Sequence, residues 1–197
     1  SNWEQMVEEQ SWQAIAIPEE NGGFGFSWIE LALVFEELGR SLTPCPLLGA
    51  VLAAEALTQS GGGDLLEEIA TGSLASIAFD TTIQASIDGS DWLLDGEATH
   101  VIDGHSAQHL VLETNEGFFF INASEAYITP VQTLDITRPM ANVRLENLRV
   151  SGEAQRENID GGRLRMIAEC LLAAEAVGSA EACLETAVDY AKTRKQF

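Results

Sequence analysis

From Arg163 to Phe197 the chain contains no proline and a single glycine, Gly178. Such a stretch predicts one helix of about 33 residues, against a mean of about 11–12 in globular proteins. Ile167, Leu171, Ala174 and Gly178 share one face of it. A helix this long needs partner helices along its whole length to bury that face. The sequence ends before such a partner arrives.

Upstream, the periodicity changes character at Ser73. The first third is helical. Ser27 and Glu30 match a capping box, and Trp28, Leu31, Ala32, Phe35 and Leu38 recur at helical spacing until Gly39 supplies a stop. Pro44 and Pro46 bound a turn into a second helix over about 47–59, ended by Gly61-Gly62-Gly63. Asp64 repeats the capping logic for a third, short helix that stops at Gly72. Beyond Ser73, short segments rich in Ile, Val, Phe and Thr alternate with turn residues. Asp88-Gly89, Asp95-Gly96, Asp103-Gly104 and Glu116-Gly117 separate them and read as hairpin signals. Strands at roughly ten-residue spacing predict an antiparallel sandwich or small barrel. The expected organisation is α+β: a helical unit over residues 1–72, a β unit over 73–152 and the long helix over 161–197.

Charge narrows the function. Asp and Glu number 31 against 10 Lys and Arg, a net charge of −21. That excludes a phosphate-backbone binder and docking on anionic lipid, both of which need a basic footprint. No apolar run approaches the 18 or more residues of a membrane span, and no charged-then-apolar leader opens the chain, so a soluble cytoplasmic protein is expected. Cys45, Cys170 and Cys183 are widely spaced and form no C-x-x-C; buried thiols in a reducing compartment are the expectation.

Candidate chemistry is sparse. His100, His105 and His109 fall within ten residues, but the Asp103-Gly104 turn between them opposes a shared metal, and surface or packed histidines are expected. Adjacent acids such as Glu36-Glu37 do not face each other on a helix and read as a solvated face. Lys192, Arg194 and Lys195 gather at the end of the long helix, where they either complement the helix dipole or form an anion clamp.

Three motifs in order carry a family resemblance. Pro18-Glu19-Glu20-Asn21-Gly22-Gly23-Phe24-Gly25, followed by Glu36-Glu37-Leu38-Gly39, resembles the P-E-x-x-G-G-x-G…E-E-L-G signature of acyl-CoA dehydrogenases. Asp135-Ile136-Thr137-Arg138 with Val143 to Val150 is similar to that family's β-domain exit. Ala173 to Gly178 and Tyr190 to Phe197 resemble the start of its C-terminal helical bundle. The resemblance implies an N-terminal helical domain, a middle antiparallel β-barrel and the start of a C-terminal four-helix bundle. It also implies FAD, which takes a hydride from the β-carbon of an acyl-CoA substrate while a glutamate removes the α-proton. Electrons then pass to an electron-transfer flavoprotein, in the setting of fatty-acid or steroid degradation. The protein would form a homo- or hetero-oligomer with another subunit of the family.

The resemblance assigns cofactor-binding positions residue by residue. Thr81 stands at a flavin-contacting threonine, His100 replaces a flavin-side aromatic, and Ile102 replaces a hydroxyl that bonds the flavin. Arg194, Gln196 and Phe197 match a motif that reaches a neighbouring subunit's FAD. The family's Gly-Ser-Asp flavin loop is missing after Thr81. The catalytic glutamate usually lies beyond Phe197; a minority of the family carries it near the position of Ala168, which Glu169 misses by one residue, about 100° of helix rotation. The chain therefore reads as a fragment, lacking the family's first helix before Trp3 and the bundle after Phe197, and inactive by itself. Two readings follow: a FAD-dependent acyl-CoA dehydrogenase, or a flavin-degenerate, non-catalytic supporting subunit of a hetero-oligomeric one.

Overall fold

The computed structural model describes residues 2–195; Gln196 and Phe197 lie outside the described residues. Four helices come first: α1 (Asn2–Glu9), α2 (Trp28–Ser41), α3 (Leu47–Gln59) and α4 (Asp64–Ala70). Eight strands follow: β1 (Ala75–Ala78), β2 (Gln84–Asp88), β3 (Asp91–Ile102), β4 (His109–Thr114), β5 (Gly117–Asn122), β6 (Tyr127–Val131), β7 (Met140–Ser151) and β8 (Gln155–Arg156). Helix α5 (Gly161–Thr193) closes the chain at 33 residues.

Local signals are realised with some corrections. At α2 the Ser27 hydroxyl accepts from the Ile29 N–H at 3.2 Å, and the Glu30 carboxylate accepts from the Ser27 N–H at 2.9 Å, completing the capping box. The helix runs past Gly39 to Ser41 and stops on Leu42 in the left-handed region (φ 49°). At α4 the N-cap is Gly63, not Asp64, and no side chain caps it. Asp95-Gly96 is not a turn. It is a bulge inside the continuous strand β3, where Gly96 passes so close to the preceding loop that a Cβ would lie 2.7 Å from the Thr82 carbonyl oxygen.

The strands form two four-stranded sheets, in orders β1-β4-β5-β8 and β2-β3-β7-β6. They face each other without closing into the expected barrel, and β1 pairs with β4 in parallel, so the unit is not wholly antiparallel. The first sheet is covered on both faces. Leu110, Leu112, Phe119 and Ile121 point into the layer between the sheets, while Ile77, Val111, Phe118 and Phe120 join the helical core. Double burial explains why Phe118-Phe119-Phe120-Ile121 reads as an unbroken apolar run rather than an alternating one.

Helix α5 is set by two contacts. The first is with α2, where backbone meets backbone: a Cβ on Gly39 would lie 1.9 Å from the Glu175 carbonyl oxygen, and one on Gly178 would lie 1.8 Å from that of Glu36. The Ser179 hydroxyl donates to the Gly39 carbonyl at 2.9 Å across the crossing. Leu164, Ile167, Leu171 and Gly178 are the buried positions, close to the face read from spacing. Cys170 and Cys183, expected to be buried, are exposed; Cys45 is half-buried.

The second contact is polar. Arg138, on the loop before β7, pairs with Glu175 of α5. Beside them Asp103, at the end of β3, is 6% exposed and held in the left-handed region (φ 55°). Burial pushes its carboxyl up to about 7, with Arg138 pulling it back. Cys45 borders the same cluster, and burial pushes its thiol up to about 12, which leaves it protonated and unreactive.

Two outcomes follow. Gly178→Ala gains helix propensity but forces α2 and α5 apart, so a net loss of about 1–3 kcal/mol is expected in denaturant unfolding; an unchanged or raised stability contradicts the crossing. Asp103 holds its proton more tightly folded than unfolded, so its contribution falls as pH rises from about 4 towards 7. Asp103→Asn, which tolerates the same backbone, should gain on the parent protein in melting temperature between pH 5.5 and 8. A difference that stays constant across that window would remove Asp103 as the cause.

Candidate functional site

The helical layer, the first sheet and α5 meet at one cleft of about 210 Å³. Leu48, Gly49 and Leu52 of α3 form one wall. Ile77, Ala78 and Phe79 at the end of β1 form the floor, Thr99 to Ile102 of β3 the rim, and Ala168 and Leu172 of α5 the far wall. Gly49 lets α3 lie directly on β1, since a Cβ there would stand 3.1 Å from the Ser76 hydroxyl. The lining is apolar except for Thr99 and His100, and His100 is its one ionisable side chain.

His100 and Ile102, two of the expected cofactor-binding positions, both line this cleft. His100 sits in a second bulge of β3, between Ala98 and Val101, with a left-handed backbone (φ 56°). Its N–H donates to the Asn142 side chain at 3.1 Å, which holds the bulge open. Ile102 is half-buried and packs into the helical core, while its carbonyl accepts from the Ser76 hydroxyl at 2.5 Å. Ala168 lines the cleft, whereas Glu169 is exposed and is not among its lining residues. No carboxylate lines the cleft among the described residues.

Thr81 lies just outside, in the β1–β2 loop, and that loop is closed by bonds to β3, β4 and α5. The Thr81 hydroxyl donates to the Glu113 carbonyl at 2.5 Å and accepts from the Ile83 N–H at 3.1 Å. The Asp80 N–H donates to the Glu113 carboxylate at 2.7 Å, and the Thr82 N–H to the Glu97 carbonyl at 2.9 Å. Arg165 of α5 completes the closure by bonding Glu113 at 2.6 Å and Asp80 at 2.8 Å. Its guanidinium stands 4.7 Å over the Phe79 ring. Arg165, Glu113 and Asp80 escaped the sequence reading; the available signal was the scarcity of cations, which makes any arginine beside a cleft notable.

The remaining candidates disperse. His109 faces Glu68 of α4 at 3.3 Å, and His105 bonds its neighbour Ser106 at 2.9 Å. Among the described residues no group of three or more His, Cys, Asp or Glu side chains is placed to hold a metal ion. Arg194 caps α5, its N–H donating to the Tyr190 carbonyl at 2.9 Å and its guanidinium standing 5.4 Å over the Tyr190 ring. No helix among the described residues is long and apolar enough to cross a membrane.

Comparison with known proteins follows this geometry. The family model for the acyl-CoA dehydrogenase N-terminal domain matches residues 1–76. The acyl-CoA dehydrogenase IpdE2 of Mycolicibacterium smegmatis is 34% identical over 198 residues, covering 99% of this chain and 55% of that protein. IpdE2 of Mycobacterium tuberculosis is also 34% identical, over 100% of this chain and 55% of its own length. The chain thus spans a little over half the length of these curated relatives. Among solved structures, the ChsE4–ChsE5 complex from Mycobacterium tuberculosis superposes with a TM-score of 0.84 at 26% identity, covering 99% of this chain and 58% of that one. The glutaryl-coenzyme A dehydrogenase glutaryl-CoA complex, at 23% identity and a TM-score of 0.86 over 98% of this chain and 58% of its own, shares the fold. With the helical, β and long-helix sections in the same order along the whole chain, this protein belongs to the acyl-CoA dehydrogenase family.

Proposed function

We propose that the protein serves the α,β-desaturation of an acyl-CoA thioester as the supporting subunit of a hetero-oligomeric acyl-CoA dehydrogenase. In that assembly the FAD is held chiefly by the partner chain, and its electrons pass to an electron-transfer flavoprotein. The observation that carries this reading is the closed β1–β2 loop. A flavin ring held here needs hydrogen-bond donors facing the cleft, but the Thr81 hydroxyl and the Asp80, Thr82 and Ile83 N–H groups all have internal partners. Ile102, at the other flavin-contacting position, offers only hydrocarbon. These groups therefore offer no free donor to an isoalloxazine edge, and Thr99 and His100 are the polar side chains left at the cleft. The cleft is also small, at about 210 Å³, against roughly 300–1,000 Å³ for ligand sites.

Two further features agree with a shared assembly. Arg194 stands about 26 residues beyond Ala168 on the same helix, roughly 40 Å away, so the clamp read from the family motif serves a site other than this chain's own cleft. The ChsE4–ChsE5 relative is by its name a complex of two different chains. A self-sufficient FAD-dependent dehydrogenase is the second reading, and the placement of His100 and Ala168 around one apolar cleft favours it.

Turnover separates the two. The full-length protein, assayed with acyl-CoA thioesters and an artificial electron acceptor, is expected to be silent alone and active when co-expressed with a candidate partner subunit of the acyl-CoA dehydrogenase family. Turnover by the protein alone would establish the second reading.

A further inference from the structure

Glu113 of β4 is the hub of the closed loop. Its carbonyl takes the Thr81 hydroxyl, and one oxygen of its carboxylate takes both the Asp80 N–H and the Arg165 guanidinium. Arg165 enters from α5, on the same face as Ala168 and Leu172, three and seven residues further along. Its guanidinium carbon stands 4.7 Å from the centroid of the Phe79 ring, and Phe79 itself lines the cleft. A guanidinium stacked on an aromatic face takes the place that another planar group would take there. Asp80, with φ 51°, is turned into the left-handed region so that its N–H and its carboxylate both meet this cluster.

We infer that Arg165 is an intramolecular clamp that denies the β1–β2 loop of this chain to a flavin ring. It stands over Phe79 in the ring's place and, through the Glu113 carboxylate, holds the Asp80 N–H and with it the loop that keeps the Thr81 hydroxyl turned inward. The inference rests on the supporting-subunit reading and names the contact that enforces it. The clamp is a population device: a loop that is open only a small fraction of the time binds with an affinity reduced by that fraction. Its partners are partly exposed, the Arg165 side chain at 33% and Asp80 at 84%, so its loss leaves the core intact.

FAD titration into the full-length protein tests this, followed by flavin fluorescence and visible absorbance. Arg165→Ala is expected to bind FAD at least about tenfold more tightly than the parent protein. Adding Thr81→Val to that variant should remove most of the gain, because the freed hydroxyl is then missing. Glu113→Gln, which keeps the shape and weakens the arginine pairing, should show the same gain and decides the matter if Arg165→Ala does not fold. A folded variant with FAD binding unchanged from a colourless parent overturns the clamp. A parent protein already carrying FAD near stoichiometry overturns the supporting-subunit reading instead.

Discussion

The crossing of α2 and α5 governs the rest of this structure. Gly39 and Gly178 bring the two backbones into direct contact, closer than any side chain permits. Because the contact is made by backbone, α5 has one axial position, and everything it carries is placed by that position. Leu164, Ile167 and Leu171 meet the helical core, Glu175 meets Arg138, and Arg165 meets the β1–β2 loop. A shift of one residue along α5 would turn each of these side chains by about 100° and break all three sets of contacts together.

The scarcity of cations sharpens this arrangement. In a chain with 31 acids and 10 bases, the arginines that pair do so mostly between elements rather than within them. Arg40 joins α2 to α5, Arg163 joins α5 to Glu55 of α3, Arg138 joins the β7 approach to α5, and Arg165 joins α5 to β4. Each exposed pair is worth little alone. Together they set direction, since so few cations leave carboxylates of α5 such as Glu175 and Glu185 few other partners. The same economy closes the β1–β2 loop. A segment that satisfies its own donors gains local order and loses the donors a ligand would use.

Much of this was legible in the sequence where a single local signal decides. The capping box at Ser27, the limits of α3 and the length of α5 depend on neighbouring residues, and they came through. The ordered motifs pointed to the family; that His100, Ile102 and Ala168 line one cleft is seen only in the fold. What failed depended on distant partners. Gly39 reads as a helix stop, but its glycine answers to Glu175, far along the chain. Asp95-Gly96 reads as a turn, but the positive φ there serves a bulge that lets the Thr82 loop pass. Sheet closure and the parallel β1–β4 pair are matters of registry between strands, which alternation within a strand does not encode. The Arg165 clamp has no motif; it exists only once α5 and β4 are docked.

We propose that this chain, although similar to acyl-CoA dehydrogenases throughout its length, does not hold a flavin unaided. The most direct measurement is the visible spectrum of the purified full-length protein, recorded alone and again with a candidate partner subunit. The account predicts a colourless protein that acquires flavin bands only in the assembly. Flavin bands near stoichiometry in the protein alone would contradict it.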